Sequence, residues 1–170
     1  MGKSTRPPAV DGILTAGVAD AARLMWWSQK GYQHGIFHGS AGGRAVNAIC
    51  AVMWWPMWPL LWIANAGLIA RKSTRYYMSP NKDATLAIAA KQGRWVIGEH
   101  LSARPGTGQG RALRAVLLPV LGEVADREGV AVEATAASGR LAEVYRADVP
   151  ELEKVGRGFP RGVKLRRAPR

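Results

Sequence analysis

The sequence predicts an α/β fold of the α+β type that follows a hydrophobic helical region. Three observations support this: a strand-turn-strand pattern over residues 84–102, a glycine-rich loop followed by an amphipathic run, and an uncharged run over 46–70. Alternating apolar residues indicate strands, and apolar residues three and four apart indicate helices. We therefore expect a helical region at 1–78 and an α/β core with a basic tail at 79–170.

The first 45 residues predict a polar arm and one amphipathic helix. Lys3 to Pro8 is typical of an arm, because it is polar and ends in two prolines. The segment 31–43 is rich in glycine and is expected to end the helix. The predicted helix covers 11–29, where apolar side chains lie at near-helical spacing: Ile13, Leu14, Val18, Ala21, Leu24 and Met25.

The run 46–70 contains no charged residue and is long enough to cross a bilayer as a helix. However, its tryptophans lie in the middle rather than at the ends, and Pro56 and Pro59 would kink it there. Basic residues flank both sides, which argues against a simple crossing. Two interpretations stay open: membrane contact on the cytoplasmic face, or a helix buried in a protein core or a homodimer interface.

The composition limits the partners and the compartment. Lys and Arg outnumber Asp and Glu by 24 to 12, and the resulting net charge of +12 favours anionic partners such as nucleic acid, lipid headgroups or a phosphorylated cofactor. Cys50 is the one cysteine and lies in an apolar run, so no intrachain disulfide can form and a reducing, cytoplasmic compartment is expected. His34 and His38 lie four apart without further ligands, so no metal site is expected.

The second half predicts an ordinary α/β order of elements. A tight turn at Gln92-Gly93 joins two strands into a hairpin. Pro119 is expected to bend the helix that follows the glycine loop. The predicted elements are strands at 84–90, 94–102 and 130–136, helices at 113–124 and 139–146, and one or two short strands within 153–167.

The glycine loop has the sequence SARPGTGQGRAL over residues 102–113. A nucleoside-triphosphate P-loop needs Gly-Lys-Ser/Thr, whereas Arg111-Ala112 follow Gly110 here, so that interpretation fails. The G-x-G-x-G spacing after a hairpin also departs from the dinucleotide fingerprint. Free amides at the start of the next helix still favour an anion, and Arg104 and Arg111 add positive charge. The alternative is a helix start with turn glycines and no ligand.

The order of strand, P-G-T-G-Q-G-R-A-L loop, amphipathic helix and strand resembles the acyl-CoA-binding core of the GNAT superfamily of N-acetyltransferases. The family signature is Arg or Gln, two residues, Gly, one residue, and Gly or Ala. Gly108 and Gly110 match its last two places, while Pro105 occupies the first. The resemblance implies a mixed sheet with flanking helices, and acetyl-CoA as the co-substrate. It further implies main-chain pairing of the pantetheine arm with Leu101, Ser102 and Ala103, and a pyrophosphate site formed by Arg104, Gly106, Thr107, Gly108, Gln109, Gly110 and Arg111.

The resemblance also implies catalytic residues. Tyr145 stands on the short helix after the fifth family strand, where a tyrosine can protonate the departing thiolate. The family's Asn near the start of that helix is replaced, with Ser138 in its region. Glu99 and His100 are the candidates for the general base, and strand alternation puts them on opposite faces. Each of these side chains could instead be structural.

The resemblance covers residues 80–165, and the first half is expected not to match the family. It implies an acyltransferase that moves an acetyl group from acetyl-CoA to an amine of an unidentified acceptor. The alternative is a GNAT-like module without catalysis that binds a membrane or nucleic acid. The closing basic residues are its electrostatic support: Arg157, Arg161, Lys164, Arg166, Arg167 and Arg170.

Overall fold

The structure is a computed structural model that describes residues 6–39, 41–149, 151–158 and 162–170. A seven-stranded sheet lies between helices on its two faces. The strands are β1 (Leu14–Thr15), β2 (Thr74–Met78), β3 (Ala84–Lys91), β4 (Arg94–Ser102), β5 (Ala131–Ala136), β6 (Glu153–Arg157) and β7 (Val163–Arg167). The helices are α1 (Ala21–His38), α2 (Ala41–Ala70), α3 (Gln109–Arg127) and α4 (Gly139–Asp148).

The sheet is mixed, as the family resemblance implied. Its strand order is β1-β2-β3-β4-β5-β7-β6, and every neighbouring pair is antiparallel except β4 and β5, which run parallel. Strand β2 pairs with β3 across the predicted boundary at residue 78, so strands from both predicted regions share one sheet. The division of the chain into 1–78 and 79–170 stays a prediction.

The N-terminal region differs from the sequence prediction. The helix predicted over 11–29 is wrong for its first ten residues, because Leu14 and Thr15 pair with β2 and a short 3-10 turn follows. Helix α1 then passes through Gly31 and Gly35 and ends at His38, with Gly39 as its C-cap, so the glycine-rich segment 31–43 does end the helix. At Gly35 the side chain of Asn47 occupies the space of a β-carbon, so this glycine allows α1 and α2 to approach closely. Residues 3–5 of the predicted arm lie outside the described residues.

Helix α2 confirms that the uncharged run is helical, and the helix passes through Pro56 and Pro59. By length and composition alone, residues Gly42–Ala70 could cross a membrane. Only 11% of the most apolar 18-residue stretch of this helix is buried inside the protein. The interpretation as a helix buried in the core of this chain is therefore wrong within the described residues. The buried apolar side chains in the described part of α2 are Ala51, Trp54 and Ile69, and most of its large apolar side chains are exposed.

The second half follows the predicted order, but the buried face of α3 is shifted. Leu113, Leu117 and Leu121 are buried as expected, whereas Val116 and Val120 are exposed. Arg114 takes a buried place in the same stripe. This stripe packs against β3 and β4 as part of the larger core, and a second core lies under α1 on the other face of the sheet.

Candidate functional site

The sheet opens between β4 and β5. Their parallel pairing covers only Arg94–Ile97 and Ala131–Ala134, although β4 continues to Ser102. The last part of β4 pairs with β3 on its other side, where Leu101 faces Thr85 and Ser102 faces Ala84. The edge of β4 that faces β5 is thus available beyond Ile97, and this opening leads towards the glycine loop.

A bulge in β4 decides which way its side chains face. Ile97 pairs with Ile88 and His100 pairs with Leu86, so β4 carries one extra residue between these two pairs. The extra residue reverses the alternation of side chains beyond Ile97. His100 consequently faces α3, and Glu99 faces the side of α1, which confirms the prediction that these two residues lie on opposite faces.

The glycine loop is closed by its own side chains. Thr107 Oγ1 donates to the Arg104 carbonyl at 2.8 Å, and the Arg104 amide donates to Gln109 Oε1 at 3.0 Å. Gln109 Nε2 also donates to Asp83 Oδ2 at 3.3 Å, which ties the loop to the turn between β2 and β3. These bonds fix the shape of the loop from within the protein.

The backbone of the loop presents free amides at the start of α3. Gly106 and Gly108 have φ values of 86° and 83°, a left-handed conformation that suits glycine. The Gly108 carbonyl accepts the bond from the Ala112 amide at 3.0 Å. The amides of Gln109, Gly110 and Arg111 precede that bond, so they and the helix dipole attract an anion. The predicted pyrophosphate residues therefore come together in one loop.

Two basic side chains flank this loop and one wall comes from α1. Arg104 is exposed, and the Arg111 side chain is 74% exposed with its Nε 3.8 Å from Asp148 Oδ1. Lys30 Nζ donates to the Ala103 carbonyl at 3.2 Å. The His34 ring lies against Gly106, where its Cε1 would be 2.9 Å from an added β-carbon. The site therefore has positive charge and only a narrow space between α1 and the loop.

A buried polar network lies beneath the loop. Arg114 Nε donates to Asp148 Oδ2 at 2.8 Å, and its Nη1 donates to His100 Nδ1 at 3.0 Å. Burial, followed by the charge of Arg114, lowers the pKa of His100 to about 4, so the ring is neutral at pH 7. A β-carbon on Gly110 would overlap Nε2 of this ring. His100 therefore packs under the loop and leaves no room for a side chain at position 110.

Glu99 lies in a different environment on the side of α1. Tyr76 donates to Glu99 Oε2 at 3.3 Å, and Tyr32 is near enough to feel the carboxylate charge. Solvent reaches Glu99, yet nearby protein atoms displace enough water to raise its carboxyl pKa, a shift that the Tyr76 hydrogen bond partly opposes. The raised pKa makes Glu99 a stronger base than an ordinary carboxylate.

Tyr145 lies on α4 beside the network. Its ring is buried, and the Arg114 guanidinium carbon is 5.2 Å from the ring centre. Burial raises the pKa of the phenol, and the charge of Arg114 opposes this rise. The hydroxyl is therefore protonated at pH 7 and can donate a proton. Ser138 begins this helix and accepts from the Leu141 amide at 3.2 Å, which is the bond of an N-cap.

Known proteins resemble this chain in structure but not in sequence. No protein-family model matches the sequence, and no curated protein matches it. Solved structures do match. The PaiA N-acetyltransferase of Thermoplasma acidophilum, in complex with coenzyme A, has a TM-score of 0.60 at 7% identity over 92% of this chain and 97% of that chain. The chain has the GNAT fold.

Two further solved structures support the GNAT fold. A GNAT-family acetyltransferase of Staphylococcus aureus Mu50 has a TM-score of 0.58 at 8% identity over 93% of this chain and 98% of that one. Aminoglycoside acetyltransferase AAC(6')-Ib, with coenzyme A and kanamycin, has a TM-score of 0.55 at 15% identity over 92% and 93%. The expectation that only residues 80–165 match is therefore wrong, since β1, α1, α2 and β2 belong to the same GNAT fold.

The sequence did not reveal several residues of the site. The position of Arg114 inside the apolar stripe of α3 could have predicted a buried acidic partner, because a buried arginine needs one. Its partner Asp148 and the α1 residue Lys30 had no local signal. Among residues 6–39, 41–149, 151–158 and 162–170, no group of three or more His, Cys, Asp or Glu side chains could hold a metal ion.

Proposed function

We propose that the protein is an acetyl-CoA-dependent N-acyltransferase that acetylates an amine. The observation that carries this proposal is the opening between β4 and β5, which ends at a loop with three free helix amides. Solved structures of the same fold include acetyltransferases in complex with coenzyme A, which supports acetyl-CoA as the co-substrate. The identity of the amine acceptor is left open by this proposal.

Acetyl-CoA would be held by backbone groups and by two arginines. The amides of Gln109, Gly110 and Arg111 suit the pyrophosphate, and the exposed side chains of Arg104 and Arg111 add positive charge.

The edge of β4 beyond Ile97 suits the amide groups of the pantetheine arm, because an extended chain can add to a strand edge. At Ala103 both backbone groups are already paired, the amide with the Asp83 carbonyl and the carbonyl with Lys30, so the pairing would end at Ser102. The acetyl group then lies near the β4 bulge.

The proposed reaction is direct attack of the amine on the thioester. Glu99 takes a proton from the ammonium form of the acceptor, and the free amine forms the new N–C bond. The C–S bond then breaks as Tyr145 gives its proton to the departing thiolate. The second proton of the nitrogen passes to the Tyr145 phenolate, and Glu99 releases its proton to solvent. We favour Glu99 over His100 as the base, because Arg114 occupies His100 Nδ1 and burial lowers the pKa of that ring to about 4.

Calorimetry with coenzyme A tests the binding part of the proposal. The wild-type chain should bind, and Gly110→Ala should lower the affinity at least about tenfold, because the new methyl group displaces His100 and the loop amides. Gly122→Ala on the same helix is the matched control, since nothing lies within 4 Å of its added β-carbon. Absence of binding by the wild-type chain at high micromolar coenzyme A would overturn the proposal.

Thiol release with a panel of primary amines tests the chemistry. Glu99→Gln should lower kcat by about 10²–10⁴ while coenzyme A affinity changes little, because the amide cannot take the proton. Tyr145→Phe should also lower kcat without changing that affinity. Unchanged turnover in either variant would remove that residue from the mechanism.

The alternative of a basic binding module has weaker support. Three of its closing basic residues are already paired: Arg167 with Asp126 and Glu151, Arg170 with Glu151, and Lys164 with Glu133. Paired side chains contribute less to binding nucleic acid phosphates. Arg161 lies outside the described residues. If coenzyme A binds and no amine in the panel is acetylated, the alternative is preferred.

A further inference from the structure

Helix α2 carries an exposed apolar face that the fold does not cover. We define this face as Ile49, Val52, Trp55, Leu60, Trp62 and Ile63, all of which are exposed. Val52 is 71% exposed, and Ile63 is 61% exposed. At 100° per residue these six side chains fall within about 160° of the helix circumference. A continuous exposed apolar surface of this kind indicates an interaction site.

The surrounding charges indicate an anionic partner. Every charged side chain from Ala21 to Lys82 is an arginine or a lysine. Arg44 lies near the start of α2, and Arg71 and Lys72 follow its end, all three exposed. Basic residues beside an exposed apolar helix suit a bilayer that contains anionic lipids. A second copy would bring the same basic groups together, so charge disfavours it.

The packing of α2 excludes a helix that crosses the bilayer. Trp54 and Ile69 are both buried against the folded domain. They are 15 positions apart, which corresponds to about 22 Å along a helix, less than the ~30 Å of a bilayer's hydrocarbon layer. Four of the six side chains of the exposed face lie between these two positions, and they can enter a membrane only with the helix axis along the surface.

The two prolines agree with that placement. Pro56 and Pro59 have no amide hydrogen, so the carbonyls of Val52 and Trp55 lose their helical donors. Unpaired carbonyls are costly in dry hydrocarbon but are hydrated in the headgroup layer. Tryptophan side chains such as Trp55 and Trp62 also favour that layer.

We infer that the apolar face of α2 docks the protein, lying flat, on a membrane surface that contains anionic lipid. This inference rests on the exposed face and its flanking charges, and not on the acetyltransferase proposal. Because the cytoplasmic leaflet carries the anionic lipids, the inference favours that face of a membrane.

Co-sedimentation of the full chain with vesicles tests the inference. Vesicles of phosphatidylglycerol and phosphatidylcholine in equal parts should bind the chain at least about tenfold more tightly than phosphatidylcholine alone, with tryptophan emission shifted to shorter wavelength. Val52→Glu combined with Ile63→Glu should lower binding at least about tenfold. Val116→Glu combined with Val155→Glu, at exposed valines on α3 and β6, is the control for two added negative charges. Thermal melting checks that each variant is folded.

Two results would overturn the inference. Equal binding to both kinds of vesicle would remove the role of anionic lipid. No binding to either kind of vesicle would show that the face does not dock on a membrane. In that case sedimentation velocity gives the alternative: a wild-type dimer that the double variant converts to a monomer would assign the face to a second copy of the chain.

Discussion

Helices α2 and α3 show opposite relations between sequence and burial. Helix α2 has no charged residue from Ala45 to its end, yet most of its middle is exposed. Helix α3 contains several charged residues, yet it buries a full stripe against the sheet together with Arg114. Apolar content alone therefore does not decide burial. A helix is buried where a complementary surface exists, and α3 has the sheet while the middle of α2 has none in the described chain.

The largest expected difference between the two helices concerns buried charge. Arg114→Met should lower the free energy of unfolding by about 3–5 kcal/mol, because the buried Asp148 keeps only its longer 3.8 Å contact with the exposed Arg111. Arg44→Met, at an exposed position of α2, should change it by less than about 0.5 kcal/mol. Urea unfolding of both variants measures the difference. Equal losses would show that Arg114 does not hold a buried pair.

Truncation of an apolar side chain to alanine should also lower stability far more in α3 than in α2. Leu117→Ala on α3 should cost about 2–5 kcal/mol, because the removed side chain is fully buried. Ile63→Ala on α2 should cost less than about 0.5 kcal/mol, because that side chain is already in water. Denaturant midpoints of the two variants compare them directly. A large loss from Ile63→Ala would mean that another part of the molecule or a second copy covers α2.

The pH dependence of stability should come from a side chain packed against α3 rather than from α2. His100 contacts α3, and its folded-state pKa of about 4 is below its ordinary value of 6.5. The folded protein therefore binds this proton less readily, and up to about 3 kcal/mol of stability is lost as pH falls from about 6.5 to 4. His100→Gln should flatten this part of a stability profile measured by urea unfolding. A profile that the substitution leaves unchanged would contradict the assignment to His100.

The smallest expected effect should be equal in the two helices. Gly122 in α3 and Gly67 in α2 have nothing within 4 Å of an added β-carbon. Alanine at either position should raise the free energy of unfolding by about 0.5–1 kcal/mol, because glycine loses more backbone entropy in a helix. Thermal melting measures both. A gain at only one position would show that the two helices also differ in local backbone stability.

Much of the fold could be predicted because its signals are local. The hairpin of β3 and β4, helix α3 and strand β5 follow from alternation, a two-residue turn and helical spacing. The N-terminal helix was misplaced because Leu14 and Thr15 belong to a strand whose partner lies more than 60 residues later. A pairing at that distance leaves no periodic pattern in a single sequence.

The site was predicted in its backbone and less well in its side chains. Gly106 and Gly108 were visible because left-handed turns favour glycine. The environments of Glu99 and His100 depend on a β4 bulge, and those of Arg114 and Asp148 on the packing of α3 against α4. These relations are tertiary, so spacing along the chain could not give them. The roles of Tyr145, Glu99 and His100 stay predictions.

The short contact between β4 and β5 has a mechanical consequence. Strands β1–β4 and β5–β7 form two leaves, and in the described chain one ladder of four residue pairs joins their backbones. Such a seam lets the leaves spread at the end near the glycine loop while the rest of the sheet stays intact. A molecule that pairs with both leaves would restrict this motion. Slower amide hydrogen exchange in β4 beyond Ile97 would report the stiffening.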